Sequence, residues 1–496
     1  MNPLKQLAGQ TAIYGLPTIL GRLLNYLLVP LYTYRFVTSE YGVVTEMYAY
    51  VSLFAVILTY GMETAFFRYS QTEDDKGKVY GTSVLSLIIT SAVFITISMI
   101  FARPVASRMG YAEHTEYIRW FVLVLAFDAL SAIPFARLRE LNKAGQFALI
   151  KSINIVINLG LNLFFILLCP YLLKSSGNGF IIKLIHFVYN PEVGVGYIFI
   201  SNLIASGVTL LLLLPVILDI KLTFNKPLWK RMIKYALPIM IFGMAGIVNE
   251  TFDRILLKHL LPGSDMKYNM SQLGIYGACY KISILMTLFI QTFKYAAEPF
   301  FFNQSKNTNA KLLYAQVMKY FVMVCCFIFL AVMMYIDVVM FFVGREYRVG
   351  QPVVPILLLA NLFLGVFYNL SIWYKLTGQT IWGAYISIFG AVLTLILNFW
   401  LVPIIGYMGA AWATFICYGS MMVASYIVGQ KYYPINYNVK KLLGFFGLSI
   451  LFYFLSILMH FENHILHLTI NTLLLLLYVF ILFMIERPKR LFVGKS

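Results

Sequence analysis

The chain has 496 residues, 60% of them hydrophobic and 12% charged, with 38 lysines and arginines against 20 aspartates and glutamates. Water-soluble domains carry about 25% charged residues, so the composition excludes one; repeated apolar runs of about 20 residues or more indicate a polytopic helical membrane protein. The net charge of +18 is a loop-placement signal rather than a nucleic-acid footprint.

The opening MNPLKQLAGQTAIYG is not expected to be a cleavable signal peptide, because its apolar run is too long and no small-residue cleavage site follows. Fourteen apolar segments follow, near 11–36, 43–68, 79–102, 117–136, 146–170, 194–218, 232–257, 273–296, 312–337, 351–374, 380–402, 408–430, 442–460 and 465–485. An even count puts both termini on one side. That side carries 25 of the lysines and arginines and the other 10, including Lys258, with Arg22, Arg254 and Lys281 placed inside the membrane. By the positive-inside rule both termini are cytoplasmic.

Span 1 holds Arg22 near its middle, with Thr18, Asn25 and Tyr26 on the same helical face. A cation at that depth costs roughly 2.5–3.5 kcal/mol on insertion scales, so it faces a water-filled cavity or a partner charge. Guanidinium binds phosphate through paired hydrogen bonds, which makes Arg22 and Asn25 candidate contacts for an anionic substrate. A structural ion pair is the alternative. At the inner end of span 2 stand Glu63 and Arg68, read as interfacial ion-pair or gate residues.

Asp128 sits among apolar residues in the middle of span 4, as a candidate ion-coupling residue or a partner of Arg22. Span 5 carries Asn154, Asn158 and Asn162 at i, i+4 and i+8. This single polar stripe either lines a sugar path or hydrogen-bonds to neighbouring helices. Span 7 carries Glu250, Asp253 and Arg254 at i, i+3 and i+4, a candidate ion-coupling cluster or a charge cluster at the outer helix end. Lys281, about two turns into span 8, contacts a negative substrate or snorkels to the outer surface. At the inner end of that span, Lys294 and Glu298 have i, i+4 spacing.

Spans 13 and 14 are nearly bland and read as peripheral, lipid-facing helices. The five cysteines (Cys169, Cys279, Cys325, Cys326 and Cys417) have no metal-ligand spacing and read as small core residues. Metal binding by His460, His464 and His467 is not expected. The sequence has no Walker motif, so direct ATP drive is not expected either.

The two halves echo each other in parallel. Tyr14-Gly15-Leu16-Pro17 with Gly21 matches Tyr235-Ala236-Leu237-Pro238 with Gly243. Gly42 with Tyr48 six residues on matches Gly274 with Tyr280. Asn162 followed by Gly194-Val195-Gly196-Tyr197 loosely matches Asn398 followed by Gly406-Tyr407-Met408-Gly409. The expected architecture is all-α, with two parallel six-helix lobes, 1–220 and 221–435, and two further helices with a tail in 436–496. Six spans per lobe keep both repeats in the same orientation.

This pattern resembles the multidrug/oligosaccharidyl-lipid/polysaccharide exporter superfamily, with its MATE-like fold. It is most similar to the polysaccharide-biosynthesis branch, the flippases of undecaprenyl-linked oligosaccharides. The resemblance rests on Gly21-Arg22, Ser39-Glu40-Tyr41-Gly42, Asn142-Lys143-Ala144-Gly145-Gln146 and Gly406-Tyr407-Met408-Gly409-Ala410-Ala411-Trp412-Ala413-Thr414, in that order along nearly the whole chain. Arg22 is similar in place to a functional span-1 arginine of the lipid II flippases.

The resemblance implies alternating access around a central cavity in a bacterial inner membrane, without covalent chemistry. The cargo would be an undecaprenyl-pyrophosphate-linked oligosaccharide destined for surface polysaccharide or lipopolysaccharide. It implies no cofactor, with a membrane potential or ion gradient as the drive. The implied partners are the lipid-linked cargo, membrane lipids and a downstream polysaccharide polymerase or ligase, and no nucleic acid. Two rival readings are a multidrug or cation antiporter of the same fold and a membrane-embedded glycosyltransferase or polymerase. The basic middle of span 1 argues against the first, and the internal repeat against the second.

Overall fold

A computed structural model describes residues 21, 23–24, 26–174, 185–219, 223–263, 265–305, 307–459 and 461–486, apart from the side chains of 295, 296, 299 and 303. Thirteen of its helices are long and apolar enough to cross a membrane, and they coincide with expected spans 2 to 14. They are α2 Thr38–Thr72, α3 Lys76–Ile100, α4 Thr115–Glu140, α5 Ala144–Lys174, α6 Gly196–Leu218, α7 Lys226–Leu260, α8 Met266–Gln304, α9 Ala310–Met334, α10 Val353–Leu376, α11 Ile381–Ile405, α12 Tyr407–Tyr432, α13 Val439–Leu458 and α14 His464–Ile485. Of span 1, residues 26–35 form a described helix, α1. No strand occurs among the described residues. The protein is an all-α membrane protein.

Side-chain caps fix several helix starts. The Asp75 carboxylate accepts from the Lys78 amide at 3.0 Å, and the Asn225 side chain accepts from Leu228 at 3.0 Å. Asn438 and Asn463 do the same for α13 and α14. Each cap satisfies an amide at a helix start that the helix itself leaves open. One break was not visible in the sequence. Within α2, Tyr60 (φ 33°) and Gly61 (φ 73°) are left-handed, although the apolar run passes through them unbroken.

By packing, the chain divides into two compact units, Met1–Gly277 and Ala278–Ser496. This division falls inside α8, a different place from the sequence-repeat boundary near residue 220. Its physical basis is that α7 packs with α2, α3 and α4: Met62, Phe66, Val79, Tyr80, Ile133, Leu228 and Met232 share one buried cluster.

In the first unit, α2 and the start of α8 meet at two glycines that the repeat pairs with one another. A Cβ on Gly42 would lie 2.0 Å from the Met270 carbonyl oxygen, and one on Gly274 would lie 1.9 Å from that of Thr38. Each glycine therefore abuts the carbonyl four residues before the other, a two-fold symmetric contact. Beside it the hydroxyls of Thr38 and Ser271 are 2.7 Å apart. Other echoes of the repeat recur as local conformation. Gly194 (φ 51°, ψ −124°) and Gly406 (φ 61°, ψ −140°) open α6 and α12 alike. Asn162 and Asn398 are each fully buried and each donate from the side chain to the carbonyl four residues back, at 2.8 Å.

The second unit packs α10 against α12, with Ala360, Phe367, Ile386, Cys417, Tyr418 and Met421 in one cluster. Much of α13 and α14 is exposed, in keeping with the bland reading, but two polar anchors hold them. The Asn471 amide donates to the Met334 carbonyl at 2.7 Å and its oxygen accepts from Ser456 at 2.7 Å. Glu486 pairs with Lys319 at 2.5 Å and with Lys441.

The glycine contact makes a prediction. Gly274→Ala should lower the melting temperature of the purified protein, by an overpacking cost of about 1–3 kcal/mol. Gly246→Ala, where nothing lies within 4 Å of the added carbon, should leave it unchanged or raise it slightly, because alanine is the better helix former.

Candidate functional site

The first unit contains a polar seam where α4, α5 and α6 meet, with α1 and α2 at its side. On α5 the seam is the asparagine stripe. Asn154 donates to the Thr209 hydroxyl at 2.9 Å, and Asn158 donates to the Asn202 carbonyl oxygen at 3.5 Å. Asn162 donates to the Asn158 oxygen at 2.8 Å and accepts from the Tyr32 hydroxyl at 2.9 Å. Asn202 continues the seam to Tyr48 of α2 at 3.4 Å. The partners on α6 (Asn202, Ser206 and Thr209) share a face because they are spaced by one and two helical turns. From Lys151 to Asn162 the stripe rises about 16 Å, half the thickness of a hydrocarbon core.

Asp128 lies midway along α4 and is exposed. Its Oδ1 accepts from the Ser206 hydroxyl at 2.7 Å. A carboxylate at that depth faces the bundle interior or a water-filled cavity rather than lipid. Lys151 lies near enough to attract it electrostatically and rests on the Phe135 ring at 4.2 Å.

The stripe thus finds interhelical partners, while Asn154 and Asn158 stay half-buried rather than sealed. Arg22 and Asn25 lie outside the described residues. Lys281 is half-buried on α8 in the second unit. The structure separates the span 7 trio. Asp253 is 2% exposed, its Oδ2 accepts from Tyr276 at 2.5 Å, and its Oδ1 is 4.0 Å from Arg254. Glu250 is exposed and makes no ion pair among the described residues.

At the inner ends both carboxylates reach across helices rather than along their own. Glu63 pairs with Arg139 of α4, while Arg68 stacks on Tyr235 at 4.3 Å. Glu298 pairs with Lys375 of α10 at 2.6 Å instead of with Lys294. No cluster of metal-ligating residues occurs among the described residues, and His467 is 3.1 Å from the Asn471 amide.

Sequence reasoning missed the most deeply buried charge pair. The Lys258 ammonium lies 3.0 and 2.9 Å from the two Glu46 oxygens, with both side chains fully buried, and donates to the Met109 carbonyl at 2.5 Å. The Tyr111 hydroxyl donates to Glu46, and its ring lies 4.7 Å from the ammonium. Burial, and then the adjacent Glu46 charge, push the Tyr111 hydroxyl well above the usual phenol range, so it remains a donor. Lys258 is therefore not the outer-loop cation the charge count assumed. The available signal was Glu46, the one charged residue between 41 and 62, which had to find a partner inside the protein.

The sequence profile of the polysaccharide biosynthesis protein family matches residues 7–305. Among solved structures, the lipid II flippase MurJ in an inward closed conformation is similar, with a TM-score of 0.74 at 15% identity over 96% of this chain and 98% of that one. A multidrug resistance MATE family transporter of the MOP superfamily, in an inward-facing conformation, gives 0.64 at 14% identity over 85% and 94%. The outward-facing form of a transporter so described gives 0.58 at 13% identity over the same shares. Comparison with curated proteins returned no match.

The buried pair predicts a pattern of stabilities. Lys258→Met or Glu46→Leu alone should destabilise the protein by about 3–5 kcal/mol, because each strands a buried charge. The double variant should regain most of that loss. Thermal melting of the three purified variants reads the pattern directly.

Proposed function

We propose that this chain, which belongs to the polysaccharide biosynthesis protein family, is a flippase for a polyprenyl-pyrophosphate-linked oligosaccharide. The observation that carries this reading is the family match, which runs through the segment bearing Arg22 and the polar seam. The similarity to a lipid II flippase supports it, since such a cargo also joins a sugar head to a polyprenyl tail through phosphate.

In this reading the protein sits in the bacterial inner membrane with both termini in the cytoplasm, and the product feeds surface polysaccharide synthesis. The pyrophosphate meets Arg22; Lys281 is a further candidate cation for a negative cargo. The sugar lies along hydroxyls and amides such as Asn25, Asn154 and Asn158, which exchange bonds with it at little cost because both are polar and part-wetted. The prenyl tail stays in lipid. Alternating access moves the head group across, and no bond of the cargo is broken.

A membrane potential supplies about 2.3 kcal/mol per charge per 100 mV, enough to bias the cycle of a charged carrier. Asp128 is the foremost coupling candidate, being exposed in mid-span beside Ser206 and Lys151. Glu250 is a second exposed carboxylate, while Asp253 and Arg254 are a more buried pair.

The test is transbilayer movement of a fluorescent polyprenyl-pyrophosphate oligosaccharide in liposomes with an imposed potential. Wild type and Arg22→Lys should move it, and Arg22→Ala should slow it at least tenfold, since a charge-assisted hydrogen bond contributes about 1.5–3 kcal/mol. Equal rates in wild type and Arg22→Ala would remove Arg22 from the mechanism. Absence of movement in wild type would overturn the flippase.

A further inference from the structure

The second unit contains a small open-sided cleft between the inner end of α8 and the inner end of α10. Its walls are partly apolar, with Ile290, Phe293 and Phe301 along α8. Its polar groups are few. Lys375 lines it and is neutralised by Glu298 at 2.6 Å. Lys294 also lines it, rests over the Tyr368 ring at 4.6 Å, and has no carboxylate within 4.0 Å among the described residues. The three charges leave the cleft with a net charge of +1.

Asn369 supplies the second observation. It is 3% exposed, lines the cleft, and its amide nitrogen has no hydrogen-bond partner among the described residues. A buried amide N–H without a partner is uncommon in folded proteins and asks for a ligand acceptor.

We propose that this cleft binds the phosphate group of a membrane lipid, with Lys294 and the Asn369 amide as its donors. Three features select that chemistry. Lys294 and Glu298 are the first charged residues of α8 after Lys281, at the end of a 12-residue uncharged run, which sets the cleft at head-group depth. A phosphate offers several strong acceptor oxygens, enough for an ammonium and an amide together. The phenylalanines and Ile290 give the attached chain an apolar wall, which a free inorganic anion would not need. A net charge of +1 offsets one negative charge, which a phosphodiester or a phosphomonoester carries in either case. The lipid is either a bilayer phospholipid or a polyprenyl phosphate; the two share the recognised group. Neither Arg22 nor the polar seam is involved, so the site stands or falls independently of the proposed transport.

The test uses the full-length protein in a maltoside detergent, titrated with phosphatidylglycerol, with polyprenyl phosphate and with diacylglycerol as the phosphate-free control. Native mass spectrometry reads binding and thermal melting reads stability. Wild type should bind at least one of the phosphorylated lipids in preference to diacylglycerol. Lys294→Gln and Asn369→Ala should each weaken that binding about tenfold, the value of one charge-assisted or buried hydrogen bond, and Lys294→Arg should retain it. Asn369→Ala removes an unpartnered amide, so its lipid-free melting temperature should match wild type and separate lost binding from lost folding. Stronger binding of phosphatidylglycerol would identify a bilayer phospholipid as the ligand, and stronger binding of polyprenyl phosphate a polyprenyl lipid. Equal binding of all three lipids by wild type, or undiminished binding in both variants, would overturn the site.

Discussion

Inside a bilayer a polar group has only protein or trapped water to bond to, and the arrangement of charge in this chain follows from that constraint. Glu46 and Lys258 lie 212 residues apart in sequence and meet with no exposure to solvent. Neither charge is tolerable alone. The Tyr111 hydroxyl and the Met109 carbonyl complete the shell, so the pair ties α2, α7 and the segment before α4 into one body. A few residues away the Gly42–Gly274 crossing brings α2 and α8 to backbone contact. A close crossing without side chains needs its neighbours held in register, and the ion pair holds one of the two helices concerned.

The same constraint separates sealed from open polarity. Asn162 is fully buried and bonded on both sides, as an interhelical fastener is. Asp128 is exposed in mid-helix, with Ser206 as its one hydrogen-bond donor among the described residues. Asn154 and Asn158 stand between these cases, bonded to α6 yet half-buried. The polar seam is therefore graded, sealed toward Tyr32 and open toward Asp128.

Hydropathy made the helices legible, because a run of about 20 apolar residues has one stable form in lipid. The repeat was legible where glycine does geometric work: Gly42 and Gly274 touch, and Gly194 and Gly406 share an unusual backbone conformation. Pairings across helices were not. Spacing along one helix suggests Lys294–Glu298, but the carboxylate reaches Lys375 on another helix, a distance in space that periodicity does not encode. The turn at Tyr60–Gly61 was hidden for a similar reason, since its contacts are tertiary: Tyr60 and Trp229 both bond Ser86, and Gly61 abuts the Ala236 carbonyl. Of the candidate site, residue types and faces could be read from sequence; which groups are sealed and which stay open needed coordinates.

The claim on which the account turns is the class of cargo, since a lipid II flippase and multidrug resistance transporters share this fold. The most direct measurement reconstitutes the wild-type protein in liposomes under a fixed potential and follows two labelled cargoes in parallel, a polyprenyl-pyrophosphate oligosaccharide and ethidium. The account predicts transbilayer movement of the oligosaccharide lipid and none of ethidium above protein-free liposomes. Movement of ethidium with no movement of the oligosaccharide lipid would contradict it and assign the chain to drug export.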